Sequence, residues 1–124
     1  MLLYGIGLDM LDISRMERLI EDTGFMEKVF TSGERAYISG RGKFSTASAA
    51  GIFCAKEAFM KAAGEGLLIP IRDIEVCRDE RGKPFIRLSG KTSERYCDIS
   101  AELSITHTEA TAAAVAVLYD KRKE

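Results

Sequence analysis

The chain has 124 residues, 46% of them hydrophobic and 30% charged, with a formal net charge of −1. That is the size of one domain able to bury its own core, and such a balance creates no global field to draw in nucleic acid. No run of about 18 apolar residues offers a membrane-spanning helix and the N-terminus lacks a secretion pattern. The three cysteines, Cys54, Cys77 and Cys97, are spaced for reduced thiols rather than for disulfides or a zinc site, so a cytoplasmic protein with no nucleic-acid or membrane partner is expected.

Leu2 to Leu8 alternates glycine with larger apolar residues, a strand pattern placing Tyr4, Ile6 and Leu8 on one face and Gly5, Gly7 and Asp9 on the other. Glycine within a strand marks a close approach by a ligand or another backbone. Asp12 suits an N-cap, and Ile13, Met16, Leu19 and Ile20 give the next helix an apolar stripe that Thr23-Gly24 ends. Thr31-Ser32-Gly33-Glu34 reads as a capping box before a short helix to Ile38. Ser39 to Lys43 forms a loop, and Ser45 or Thr46 caps a long Ala-rich helix that runs to Ala63 and stops at Gly64.

Arg72 to Arg78 and Phe85 to Leu88 read as strands around a turn at 79–83, with Pro84 opening the second. Residues 91–97 suit a helical turn, and Ala101 to Thr106 and Ala112 to Tyr119 a closing strand pair turned at Thr108-Glu109-Ala110. The basic run Lys121-Arg122-Lys123 reads as a solvated tail. This order predicts an α+β fold: a single domain over residues 1–124 with a mostly antiparallel sheet packed on the long helix.

Two carboxylates resist a packing explanation. Glu57 shares a helix face with Phe53 at i−4, Met60 at i+3 and Lys61 at i+4, so it is expected to be partly desolvated, which is costly unless the acid is paired or holds a metal. A simple Glu57–Lys61 surface ion pair is the plain alternative. Asp9 could serve as a cap or turn residue, although Asp12 fits that task better. Taken together, Asp9 and Glu57 suit Mg²⁺, which takes one or two protein carboxylates and completes its shell with water and phosphate oxygens. Lys61, Lys56 and backbone N–H groups near Gly64 and Gly66 are candidates for the phosphate oxygens. His107, the only histidine, alternates with Leu103 and Ile105 and reads more readily as a core residue than as a catalyst.

These pieces, in this order, resemble the holo-(acyl-carrier-protein) synthase family of 4′-phosphopantetheinyl transferases. The resemblance is carried by Gly5-Ile6-Gly7-Leu8-Asp9 with Arg15, by Phe30-Thr31 with Glu34, and by Phe53-Cys54-Ala55-Lys56-Glu57-Ala58 running on to Lys61, Gly64 and Gly66. Asp73-Ile74-Glu75-Val76 with Gly82-Lys83-Pro84, and Ser104-Ile105-Thr106-His107-Thr108, complete it. It implies the family's fold and a Mg²⁺-dependent enzyme that moves the phosphopantetheine arm of coenzyme A onto a serine of an acidic acyl carrier protein, in fatty acid biosynthesis. It implies Asp9 and Glu57 as metal ligands, Lys61 at the coenzyme A phosphates, His107 and Thr108 along the coenzyme A pocket, and Arg15 at the carrier protein. It also implies a homotrimer with active sites between subunits.

Two positions depart from the family pattern. Ile52 stands where an arginine that helps bind coenzyme A is usual, and Glu65 brings an acid between Gly64 and Gly66. Arg41 or Lys43, in the preceding loop, is expected to supply the missing charge. Glu57, a metal-bound hydroxide and His107 are the candidates for the base that takes the serine proton, with the first two favoured. A binding module without turnover, and another Mg²⁺-dependent diphosphate reaction, are the competing functions.

Overall fold

Glycine on the first strand and alanine on the long helix let two backbones touch, and the rest of the fold is arranged around that contact. The computed structural model describes residues 1–122. Strand β1 (Leu2–Asp12) leads through a 3₁₀ turn (Ile13–Arg15) into three short helices, α1 (Met16–Leu19), α2 (Thr23–Val29) and α3 (Ser32–Ser39). A second 3₁₀ turn (Gly42–Phe44) precedes the 19-residue helix α4 (Ser45–Ala63). Two further 3₁₀ turns (Gly66–Leu68, Ile71–Asp73) lead into β2 (Ile74–Arg78) and β3 (Pro84–Leu88), followed by α5 (Gly90–Arg95), β4 (Ile99–His107) and β5 (Thr111–Asp120).

The fold is α+β and every strand pairing is antiparallel, as predicted, but the strands form two sheets: three strands in the order β1-β5-β4 and a separate β2-β3 hairpin. Strand β5 alternates strictly, with Ala112, Ala114, Ala116 and Leu118 buried toward α4. Small residues on this face, together with Ala49, Ala55, Ala58 and Ala62 on the helix, let α4 lie close against the sheet. Aromatic packing closes the far end, where Phe59 meets the edge of Tyr96 with ring centroids 6.0 Å apart.

Three local readings are corrected. Strand β1 continues to Asp12 because β5 pairs with it that far, Leu11 opposite Ala112 and Asp12 opposite Thr111, so Asp12 belongs to the ladder and its side chain caps nothing. Thr23-Gly24 opens a helix instead of ending one: Asp22 accepts the Phe25 N–H at 3.1 Å and restarts the chain as α2. Ser45 is the first residue of α4, and its hydroxyl donates to the Ile38 carbonyl at 2.7 Å, tying α4 to the end of α3. The tail reading is also revised, since the Arg122 guanidinium sits 3.0 Å from the Asp120 carboxylate and 3.5 Å from that of Asp98; Lys123 lies outside the described residues.

The capping box is present as read. Thr31 accepts the Glu34 N–H at 3.2 Å, and Glu34 accepts the Thr31 N–H at 2.9 Å. Its acid does more than cap. Glu34 is buried, accepts the Val76 N–H at 2.7 Å and pairs with the fully buried Lys56, which also donates to the Val29 carbonyl at 2.7 Å. One ion pair thereby joins α2, α3, α4 and β2. Lys56 is thus a structural cation, desolvated and held below the usual lysine range by burial against the opposing pull of Glu34, and it is withdrawn as a phosphate ligand.

Candidate active site

Asp9 reaches α4 because the glycines before it allow the strand to touch the helix. A Cβ at Gly7 would lie 2.0 Å from the Ala58 carbonyl oxygen, and one at Gly5 would lie 1.9 Å from that of Ala62. Any side chain there would force the two elements apart. Asp9 follows on the same face two residues later, and the Lys61 ammonium donates to its Oδ1 at 3.0 Å and to the Leu8 carbonyl at 2.9 Å.

Glu57 sits one turn before Lys61 but does not pair with it. Among the described residues its carboxylate has no hydrogen-bond or ion-pair partner. Partial burial pushes its pKa above the usual carboxylate range, Asp9's charge pushes the same way, and Lys61 only partly offsets both. The two acids therefore lie near enough to repel. The Glu57–Lys61 surface pair is not what forms.

Cys54 also belongs to this neighbourhood. Burial first, then the Asp9 charge, push its thiol up to about 12, so it stays protonated, and its S–H lies 3.7 Å from the Ala112 carbonyl. It packs as a small apolar residue and offers no thiolate. Two carboxylates close enough to repel, one of them paired with Lys61, could together hold a hard divalent cation. Among the described residues no third His, Cys, Asp or Glu completes a metal cluster, so an ion held here would take the rest of its shell from water and phosphate oxygens, as Mg²⁺ can.

Helix α4 ends above this pair. Gly64 takes φ +82° and Gly66 φ +53°, left-handed values that suit glycine, with open space where a Cβ would stand. The unusual acid between them is neutralised locally: Glu65 pairs with Arg95 at 2.6 Å.

A second locus lies at the other end of α4. His107 is exposed and not a core residue. It lines a cavity of about 130 Å³ with Tyr37, Arg41, Ser48, Gly51 and Arg78. Its Nδ1 lies 3.0 Å from the Thr108 carbonyl, an acceptor only, so Nδ1 carries the hydrogen. Thr108 spends its hydroxyl on the β4–β5 turn, accepting the N–H groups of Ala110 at 3.3 Å and Thr111 at 3.1 Å.

Arg41 is thus brought to His107, while Lys43 lies outside that lining with its ammonium 5.2 Å from the Phe44 ring. Arg15 is exposed at the end of the turn after β1, beside exposed Glu17 and Arg18. Arg78 reads in the sequence as an ordinary strand residue, and no local pattern marks it.

The family model for the 4′-phosphopantetheinyl transferase superfamily matches residues 5–117. A holo-(acyl-carrier-protein) synthase of Clostridium beijerinckii is 40% identical over 121 residues, covering 94% of this chain and 98% of its own. One from Treponema denticola is 36% identical over 121 residues, covering 94% and 98%. Among solved structures, the holo-(acyl-carrier-protein) synthase of Bacillus anthracis in complex with CoA (3′,5′-ADP) superposes with a TM-score of 0.81 at 36% identity, covering 95% of this chain and 97% of that one. The Neisseria meningitidis synthase gives 0.84 at 30% identity, covering 95% and 99%.

Proposed function

The chain belongs to the 4′-phosphopantetheinyl transferase superfamily, and from that premise we infer that it transfers 4′-phosphopantetheine from coenzyme A to a serine of apo-acyl carrier protein. The observation that carries this reading is the meeting of Asp9, Glu57 and Lys61 where Gly5 and Gly7 let strand touch helix.

In the reaction the carrier serine oxygen forms a bond to the phosphorus that bears pantetheine. The bond from that phosphorus to the bridging oxygen breaks, and adenosine 3′,5′-bisphosphate leaves. Asp9 and Glu57 would hold Mg²⁺, which when bound offsets the charge of the diphosphate and of the leaving phosphate. Lys61, already fixed by Asp9 and the Leu8 carbonyl, places a positive charge beside that leaving group. Burial and the Asp9 charge raise the Glu57 pKa, and among the described residues its carboxylate has no partner, which suits a carboxylate that accepts the serine proton. His107 lies with Arg41 and Arg78 in the second cavity, and a binding role suits it better than that of a base.

The carrier protein approaches on the side of Arg15. The outer face of β1 supports the homotrimer. Ile6, Leu8 and Met10 are 64%, 64% and 70% exposed there, an apolar row that marks a protein contact. Among the described residues no helix is long and apolar enough to cross a membrane. A cytoplasmic setting agrees with that and with three free cysteines.

The test is an intact-mass measurement. Apo-carrier protein incubated with the protein, coenzyme A and Mg²⁺ should gain one phosphopantetheine group, and EDTA should abolish the gain. Coenzyme A binding with no mass gain would replace this reading with that of a binding module.

A further inference from the structure

Ile52 is buried and lines a cavity together with Arg78, the last residue of β2, and Arg78 also lines the neighbouring cavity beside His107. Its guanidinium lies 5.1 Å from the centre of the Tyr37 ring, and that of Arg41 lies 5.5 Å from the same ring. Arg78 Nη1 donates to the Gly82 carbonyl at 3.3 Å, whereas its Nε is buried with no partner. Arg41 Nε donates to the Ser48 hydroxyl at 3.3 Å.

Among the described residues neither guanidinium has a carboxylate partner. Glu75, which shares the Ile52 cavity with Arg78, is taken by the Thr31 hydroxyl at 2.6 Å and Arg87 at 3.2 Å. Two guanidiniums gathered on one ring repel each other, and a buried N–H without an acceptor is costly. An anion between them would relieve both.

The cavity beside His107 limits what that anion can be. Its volume of about 130 Å³ gives room for a phosphate group. Gly51 floors it, because a Cβ there would come within 2.9 Å of the Ile105 side chain. With Nδ1 committed to the Thr108 carbonyl, His107 keeps Nε2 for a ligand.

We propose that Arg78, with Arg41, binds the 3′-phosphate monoester of the coenzyme A ribose and so replaces the charge that Ile52 does not carry. This rests on the transferase reading, in which Asp9, Glu57 and Lys61 take the diphosphate. Coenzyme A has one other phosphate, and a monoester carries about −1.5 to −2 charges at neutral pH, a strong partner for guanidinium forks.

The experiment compares coenzyme A with 3′-dephospho-coenzyme A as donors for the wild type, Arg78→Ala and Arg78→Lys. In R78A, kcat/KM for coenzyme A should fall about ten- to a hundredfold, mainly through KM, the size of one charge-assisted hydrogen bond. The value for the dephospho donor should move less than about twofold, so the preference for coenzyme A collapses, and R78K should restore only part of it because a point charge cannot replace the fork. An equal fall for both donors means that Arg78 is merely structural, and an unchanged preference means that it does not touch the monoester; either overturns the proposal. If R78A does not fold, or if the wild type transfers from neither donor, calorimetry on the wild type and Arg78→Gln decides. Weaker binding of adenosine 3′,5′-bisphosphate with unchanged binding of adenosine 5′-monophosphate supports the proposal, and equal effects on both overturn it.

Discussion

Lys61 pairs across elements with Asp9, at 3.0 Å, and not along its own helix with Glu57. The choice follows from β1's close approach, which places both an acid and the Leu8 carbonyl within reach of one ammonium. The Lys61 side chain is 53% exposed, and a pair this accessible contributes at most about 1 kcal/mol to stability. In the proposed reaction its value is a fixed charge at the leaving phosphate. Lys61→Ala should therefore lower kcat/KM by about a hundredfold while folding stability changes by less than about 1 kcal/mol. Steady-state kinetics and a urea titration on the same preparation check both numbers. A large loss of stability with modest loss of rate would assign Lys61 to the scaffold.

Glu57 predicts a pH dependence whose sign differs from that of most carboxylates. Its folded-state pKa is raised, by burial first and then by Asp9. Protonation therefore favours the folded state. The stabilising contribution is complete below the unfolded carboxylate pKa and is lost as pH rises through the raised folded value. In EDTA, the wild type should lose thermal stability over that interval relative to Glu57→Gln. Mg²⁺ should raise the wild-type melting temperature near neutral pH, and by less as pH falls through the raised Glu57 value and that carboxylate takes up a proton. Melting curves that respond to Mg²⁺ equally in Glu57→Gln and the wild type would remove Glu57 from the metal site.

Asp9, Glu57 and Lys61 could be read from the chain because each sits in a segment whose periodicity states its face. Alternation places Asp9 with Gly5 and Gly7, and helical spacing places Glu57 beside Lys61. The capping box at Thr31 and Glu34 was legible for the same reason, since its chemistry is local. Lys56 reads in the sequence as a phosphate ligand because its partner, Glu34, lies on another helix and only its neighbour Glu57, a candidate site residue, is visible locally. Residues 13–22 carry one continuous apolar stripe, yet Asp22 caps a new helix; stripe spacing alone does not say where a helix restarts. Arg78 was invisible because Tyr37, Ile52 and His107 come to it from three other elements.

The contact between β1 and α4 makes its own prediction. In Gly7→Ala the new methyl would stand 2.0 Å from the Ala58 carbonyl oxygen, and backbone on both sides must move. A loss of about 3 kcal/mol is expected, at the upper end for overpacking. The rate loss should exceed what the folded fraction explains, because Asp9 is displaced from Glu57. Gly64→Ala is the control. Nothing crowds its Cβ, but φ is +82°, so only the left-handed strain of about 1–2 kcal/mol applies. Denaturant titrations should rank Gly7→Ala below Gly64→Ala; the reverse order would mean that the close approach is not what seats Asp9.

The outer face of β1 carries the last prediction. Ile6 and Leu8 are each 64% exposed in the isolated chain, and Leu8 lines a shallow depression with Val115 of the adjacent β5 and Ser104 and Thr106 of β4 beyond it. A lysine at position 6 would meet mostly water in a monomer and cost the fold little, within about 0.5 kcal/mol for an exposed site. In a trimer built on this face the same lysine would be buried without a partner, at several kcal/mol for each subunit. If the wild type is the proposed trimer, Ile6→Lys should therefore sediment as a folded monomer instead. If active sites lie between subunits, the variant should also lose transferase activity while keeping its circular dichroism spectrum. A trimer that survives Ile6→Lys unchanged would move the subunit contact to another face of the molecule.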